Sequence, residues 1–450
     1  MSDSFIEKLS QLAALRPARR TRGSIRTDER ESDHSRRDLI AEWAELAEIV
    51  GAKVASNRHG EHLTVRRWHA RPEECPPAAR ALSLLLPAAR DSDDRAALRA
   101  EDPNQWLFLD TETTGLAGGT GTYAFLIGIA WWNAGGLEVE QLFMRDHTEE
   151  HSVLLELSAR LAERPVLVTF NGKSFDWPLL ETRYRMTRAI RAPALAAHLD
   201  LLHPARQLWR LRLPSVRLTD LERHVLSEAG PLAWTRRGDL DSALIPQLYF
   251  DHLRGAGSAP LANVFRHNEM DLRALAMLSG RICGVLGTDP EAPADRSPER
   301  ALDLYGMARL LGRRRDARAQ PACEMAIDTG LPAGIERMAQ RELAHMAKRQ
   351  RDYARAAAIW EQLAAARGAY AAESAIEACE QLAIHFEHRA RQPGRAAEWT
   401  ETALRQLRAA TKLEPARARR LASRLGHRQQ RLARKSARLE LGAGGREVST

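Results

Sequence analysis

Lysine is scarce in this chain, with six among 450 residues, so arginine supplies nearly all of the positive charge behind the formal net +8. That imbalance weakens the usual step from a basic sequence to a polyanionic partner, because Arg- and Ala-heavy usage also follows from a GC-rich genome. Cysteine is scarcer still. Cys75, Cys283, Cys323 and Cys379 stand far apart, with no C-x-x-C pair and no His spacing for zinc, which argues against a disulfide framework or a zinc ribbon. A reduced, cytoplasmic setting is the expectation. Long apolar runs are missing too. The longest, Tyr123 to Trp132, falls far short of the ~20 residues of a membrane span, so no membrane partner is expected. The opening stretch MSDSFIEKLSQLAALRPARR lacks the apolar core and cleavage site of a secretory signal. What remains is a chain long enough for two or three domains, each with its own core.

Residues 1–58 are polar and read as a flexible leader with one helix over Arg37 to Val50. Residues 59–103 read as an extension holding an edge strand, His62 to Trp68, and a short helix around Ala78 to Leu86 after Pro72, Pro76 and Pro77. Over 104–285 the pattern becomes α/β. Strands are expected at 106–109, 122–132, 137–145, 165–170 and 194–199, with a hairpin turn at Ala134-Gly135-Gly136. Helices are expected at 149–161 and 175–188. Three sequential strands followed by strands alternating with helices imply a mixed sheet flanked by helices.

After about Glu299 the strand signals stop. Arg318-Ala319, Arg355-Ala356 and Arg395-Ala396 are each followed by a glutamate six residues after the arginine: Glu324, Glu361 and Glu401. That recurrence predicts helix-pair repeats of tetratricopeptide type over 299–405, against the plainer reading of helices sharing an Ala/Arg/Glu bias. The segment 406–450 reads as a basic helix and tail, either solvated or in contact with nucleic acid.

The chemistry concentrates in three segments. In WLFLDTETTGL a strand delivers Asp110 and Glu112, two residues apart and so on one face. Like charges that close repel unless a cation sits between them, and hard oxygen ligands select Mg²⁺ or Mn²⁺. In VLVTFNGKSFDWPLL a strand turns at Asn171-Gly172 into a helix with Asp176 in its first turn; the plain readings are a turn residue and a dipole-stabilising acid. In LANVFRHNEMDLRALAML the apolar spacing is helical, so His267 and Asp271 share a face one turn apart. Together these supply four acids and a histidine, about the number of carboxylates that two divalent ions need for in-line hydrolysis of a phosphodiester. His267 is the candidate to take the water's proton.

D-x-E, then N-x-x-x-F-D, then a helix with H-x-x-x-D resembles the DEDD (DnaQ-like) superfamily of 3′–5′ exonucleases on the ribonuclease H fold. The stretches DTETTGLAGGTGTYAFLIG, TFNGKSFDWPLL, HPARQLWRLRLPSVRLTDLE and LIPQLYFDHLR resemble in particular the YprB-type ribonuclease H-like family, over about Asn104 to Gly284. The resemblance implies Asp110, Glu112, Asp176 and Asp271 as ligands of two Mg²⁺ or Mn²⁺ ions and His267 at the water-activating position. It also implies a single-stranded 3′ end of DNA or RNA as substrate. One departure stands out: the histidine lies four residues before the last aspartate, the spacing at which another subgroup carries tyrosine.

Thr113, Thr114, Gly115 and Leu116 match residues that hold the terminal nucleotide in that superfamily. Asn171, Lys173 and Ser174 are candidates for backbone phosphates, as are Trp209, Arg210 and Arg212, which have packing as their other reading. Gly118, Gly119 and Gly121 suit either a phosphate approach or a plain turn, and Asp200 either a substrate-side carboxylate or a structural cap. A rival function is a ribonuclease H-fold binding module without turnover, recruited to a protein partner by its helical repeats.

Overall fold

The computed structural model describes residues 42–70, 85, 99–115, 120–133, 135–227, 236, 238–290, 297–366, 372–410 and 413–444. Leu116, Gly118, Gly119, Cys75, the expected helix at 78–86 apart from Leu85, and the leader before residue 42 lie outside them.

Seven strands form one mixed sheet in the order β1-β2-β5-β4-β3-β6-β7. They are β1 (Lys53–Asn57), β2 (Gly60–Ala70), β3 (Trp106–Thr113), β4 (Ala124–Asn133), β5 (Gly136–Phe143), β6 (Val166–Thr169) and β7 (Ala197–Asp200). The pairs from β1 through β2, β5 and β4 to β3 are antiparallel, whereas β3–β6 and β6–β7 are parallel. Helices α1 (Glu150–Glu163), α2 (Asp176–Thr187) and α3 (Leu202–Trp209) provide the connections on the parallel side and lead out of β7. Short α4 (Leu218–Leu221) and α5 (Ile245–His252) precede α6 (Ala259–Gly287).

Two expectations change. The strand at 62–68 is not an edge: β1 pairs outside it, so the division expected at residue 58 falls within a β-hairpin that begins in the supposed leader. β3 also runs four residues beyond Leu109, so Asp110 and Glu112 lie within the paired strand rather than past its end, opposite Gly128 and Leu126 of β4.

Alternation along β3 explains its burial on both faces. Trp106 and Phe108 enter one apolar core, Leu107 and Leu109 the other. Helix α6 passes between the two layers. Leu261, Val264 and Phe265 join the second core and Leu272 onward the first, so residues 267–271 lie at the crossing.

The remainder is helical: α7 (Pro298–Arg313), α8 (Ala319–Gly330), α9 (Ala333–Arg349), α10 (Tyr353–Ala365), α11 (Ala372–His388), α12 (Pro393–Ala409) and α13 (Pro415–Gly444). The sequence recurrence has a structural use. Glu324 of α8 pairs with Arg355 of α10, and Glu361 of α10 with Arg395 of α12 at 3.9 Å, each glutamate meeting the arginine of the following segment. Glu373, Glu380 and Glu387 of α11 meet Arg417, Arg424 and Arg431 of α13, all seven residues apart on both helices. A constant offset of 44 residues makes α11 and α13 parallel and consumes much of the basic run. The array docks on the sheet through α7 and α3. A Cβ on Gly306 would stand 2.3 Å from the Leu208 carbonyl oxygen, and Arg212 pairs with Asp303 at 3.0 Å. Trp209 is fully buried, so Trp209 and Arg212 serve packing rather than phosphate contact.

Candidate active site

β6 ends at Thr169 while β3 continues to Thr113, which leaves the far end of β3 unpaired on that side. The first turn of α2 fills the gap. Thr111 donates its hydroxyl to Asp176 Oδ1 at 2.6 Å, and its backbone N–H also reaches Asp176. The turn before α2 is anchored from below by Asp200, whose carboxylate accepts from the amides of Asn171 (2.8 Å), Lys173 (3.1 Å) and Leu202 (3.1 Å). Asp200 is therefore a structural cap. Asn171 sits at φ 71°, the left-handed region that asparagine tolerates better than most residues.

The third segment arrives from α6. Asn268 donates to Asp110 Oδ2 at 2.8 Å and accepts from Gln141 Nε2 at 2.9 Å, so a fully buried amide fixes the first acid. Gly128 makes the room: a Cβ there would lie 2.1 Å from Asn268 Oδ1. A glycine within an apolar strand is the sequence signal for such a close approach. His267 is buried with Nδ1 2.8 Å from Asp239 and Nε2 3.5 Å from Asp271.

The four acids named from sequence come together. Burial raises the Asp110 carboxyl well above its ordinary value, and the neighbouring Asp271 and Asp176 raise it further. Burial likewise raises Glu112, reinforced by Asp110, Asp271, Asp176 and Asp239. Asp176 is raised by burial against the bonds from Thr111. Glu112 accepts no hydrogen bond among the described residues.

Sequence reasoning missed the counter-charge. Arg236 bridges Glu222, Asp239 (2.8 Å) and Asp271. Burial opposes its charge, but the Glu222 and Asp271 carboxylates hold its pKa above the ordinary value. Asp239 is pulled the other way from the raised acids: burial disfavours its charge, yet bonds from Arg236 and His267 hold it below the ordinary range. Arg236 and Asp239 lie in a connection without periodicity, so nothing in the sequence singled them out.

A divalent cation fits this donor set. Buried Glu112 and half-buried Asp110 and Asp176 are oxygen donors with raised pKa values, the signature of negative charge short of compensation. No three His, Cys, Asp or Glu side chains among the described residues form a finished metal cage, and Arg236 holds one oxygen of Asp271.

Of the substrate-side candidates, Thr113 donates to the Gly115 carbonyl (2.8 Å), and Thr114 exchanges bonds with the Tyr123 backbone at 2.9 Å. They close the turn beside the acids. Lys173, Ser174 and the 61% exposed Phe175 stand at the surface next to Asp176.

Comparison with known proteins adds two findings. A profile of the RNase_H superfamily matches residues 107–283. The chain is also 30% identical over 304 residues to the uncharacterized protein YprB of Bacillus subtilis (strain 168), covering 67% of this chain and 69% of that protein.

Proposed function

Because this chain belongs to the family of YprB and carries an RNase_H superfamily domain, we propose that the acid cluster is the centre of a metal-dependent nuclease trimming single-stranded 3′ ends. The observation that carries the reading is the convergence of Asp110, Glu112, Asp176 and Asp271, drawn from three distant segments, into one largely buried set, where Asp271 and Asp176 add to burial in raising Asp110, and Asp110, Asp271 and Asp176 do so for Glu112. The 3′–5′ direction rests on the order and spacing of the D-x-E, N-x-x-x-F-D and H-x-x-x-D motifs.

In this reading the four acids hold two Mg²⁺ or Mn²⁺ ions. Such ions, when bound, supply Lewis acidity and bring the pKa of a bound water toward neutrality. The protein's own groups do the rest. Asn268 and Thr111 fix the rotamers of Asp110 and Asp176. Asp239 accepts from His267 Nδ1, which leaves the Nε2 lone pair on the Asp271 side to take the water's proton. Thr113, Thr114 and Gly115 form the wall along which a terminal nucleotide lies, with Leu116 next in the chain; Asn171, Lys173 and Ser174 meet its phosphates. The Glu324–Arg355 and Glu361–Arg395 ties support reading α8 to α12 as tetratricopeptide-like repeats that offer a protein-docking surface.

The Arg236–Asp271 pair favours one alternative, a nucleic-acid-binding module whose guanidinium keeps the last acid from the metal. Matched 5′- and 3′-labelled DNA and RNA oligonucleotides with Mn²⁺ separate the two. Mononucleotide release from the 3′ end, lost in excess chelator, is the expected result. Intact substrate in every arm, with binding retained, establishes the module instead.

A further inference from the structure

Helices α7, α9 and α11 end alike. Each closes with an Arg-x-Arg: Arg313 and Arg315, Arg349 and Arg351, Arg389 and Arg391. The second arginine is left-handed every time, with φ of 57°, 68° and 55°. The first two turns are sealed by the N–H of the next residue reaching back to the helix, Asp316 to Leu311 at 3.1 Å and Asp352 to Ala347 at 2.9 Å. That closure normally takes glycine, because a side chain at positive φ is strained. One cation answers the partial negative charge at a helix end, and the first arginine of each pair already provides it. The second, set in a strained conformation three times over, has no such local reason.

All six side chains are exposed, and none makes an ion pair or hydrogen bond among the described residues; Arg389 only lies over the Tyr353 ring at 4.2 Å. Other arginines of the array differ: Arg309 of α7, Arg341 of α9, and Arg318, Arg355 and Arg395 on the intervening segments all have carboxylate partners. Clefts lie beside the three turns. One of about 290 Å³ is lined by Arg309, Arg313, Glu342, His345 and Arg349, and one of about 370 Å³ by Arg315, Asp316 and Arg349, cations outnumbering acids in both. A third of about 310 Å³ runs from Lys348 and Tyr353 to His388 and Arg389.

We propose that this row is a track for the sugar-phosphate backbone of single-stranded nucleic acid, separate from the acid cluster. It rests on the reading that the chain handles nucleic acid, not on catalysis. Guanidinium forks match phosphate oxygens two bonds at a time, and cations without internal partners are the ones that exchange counterions for a polyanion.

The test uses the full chain in chelator, so that no strand is cut. Binding of long (roughly 30-nucleotide) and short (roughly 4-nucleotide) labelled DNA and RNA is followed across salt, with polyglutamate as a competing polyanion. In the triple variant Arg315→Gly, Arg351→Gly, Arg391→Gly, the melting temperature is maintained or raised, since glycine suits those turns. Long-strand affinity falls at least about tenfold, and the slope of log K against log salt shrinks by about 2, each single-strand phosphate contact carrying about 0.7. Short-strand binding is unchanged. The companion variant Arg313→Gln, Arg349→Gln, Arg389→Gln, which leaves the turns alone, moves affinity in the same direction. Unaltered long-strand affinity and slope in both overturn the track, as does a loss confined to polyglutamate, which assigns the row to an acidic protein. Hydrolysis of the short strand with Mn²⁺ is scored separately, so failure of the nuclease reading and failure of the track give different results.

Discussion

The tip of β3 and the helical array treat carboxylates in opposite ways. In the array nearly every buried or half-buried glutamate has its arginine: Glu387 meets Arg428 and Arg431, Glu380 meets Arg424, and Glu377 meets Arg341 and His345. Burial disfavours the charge of Glu377 and Glu387, yet these partners hold both below the ordinary carboxylate range. At the tip of β3, Arg236 pairs with Glu222, Asp239 and Asp271, while Asp110, Glu112 and Asp176 are all raised. Compensated charge ties helices together; uncompensated charge costs stability, and on the proposed reading a cation would offset it.

Asp110→Asn breaks that contrast most severely. Metal-assisted catalysis supplies several kcal/mol, so losing a principal ligand lowers nuclease activity by on the order of 10³-fold or more. Stability moves the other way. A carboxyl whose folded pKa is raised destabilises the fold once pH exceeds its unfolded value, and the penalty shrinks as pH falls. The metal-free variant therefore melts higher than wild type at pH 7, and Mn²⁺ stabilises wild type far more than the variant. A variant that melts lower in chelator and still cleaves contradicts both halves.

Asp239→Asn tests the histidine rather than the ions. Losing the partner that orients a catalytic imidazole costs about 10- to 100-fold. The pH profile of kcat shifts with it while Mn²⁺ affinity changes less. Asn268→Leu, which releases Asp110 and strands Gln141, weakens Mn²⁺ binding by a similar factor; titration calorimetry distinguishes the two.

Gly306→Ala joins the two regions in one experiment. The new methyl group meets the Leu208 backbone, which cannot swing aside as a side chain can, so roughly 1 to 3 kcal/mol is lost. The melting temperature falls accordingly, whereas Mn²⁺ binding at the β3 tip is retained.

The acids of the candidate site were more legible than the residues that hold them. Residues 110, 112, 176, 267 and 271 announce themselves because strand and helix periods place them, and periodicity is local. Arg236, Asp239 and Asn268 act through partners up to 158 residues away, and a single sequence carries no mark of such pairings. β1 was missed because Lys53 to Asn57 shows exposed and half-buried positions only, as an edge strand covered on one side does. In the array the Arg/Glu recurrence was visible, but its use was not: the spacing within one segment carries no sign that each glutamate meets the arginine of the next.

The gentlest probe is Glu377→Gln, set against the raised acids of the sheet domain. Burial disfavours the Glu377 charge, but His345 and Arg341 overcome it and bring the pKa to about 2. A depressed carboxyl contributes stability above its unfolded value, near 4.5, and loses it as pH falls toward the folded value. Arg341 is partly exposed, so solvent screening limits the pair to about 0.5 kcal/mol at pH 7. Urea unfolding between pH 6 and pH 3 should show the variant weaker at the upper end and the gap closing toward the lower. The same series on Glu112→Gln should run with the opposite sign, the variant gaining most at high pH. A constant gap for Glu377→Gln, or the same sign for both, would mean that the two regions do not differ in how their charges are compensated.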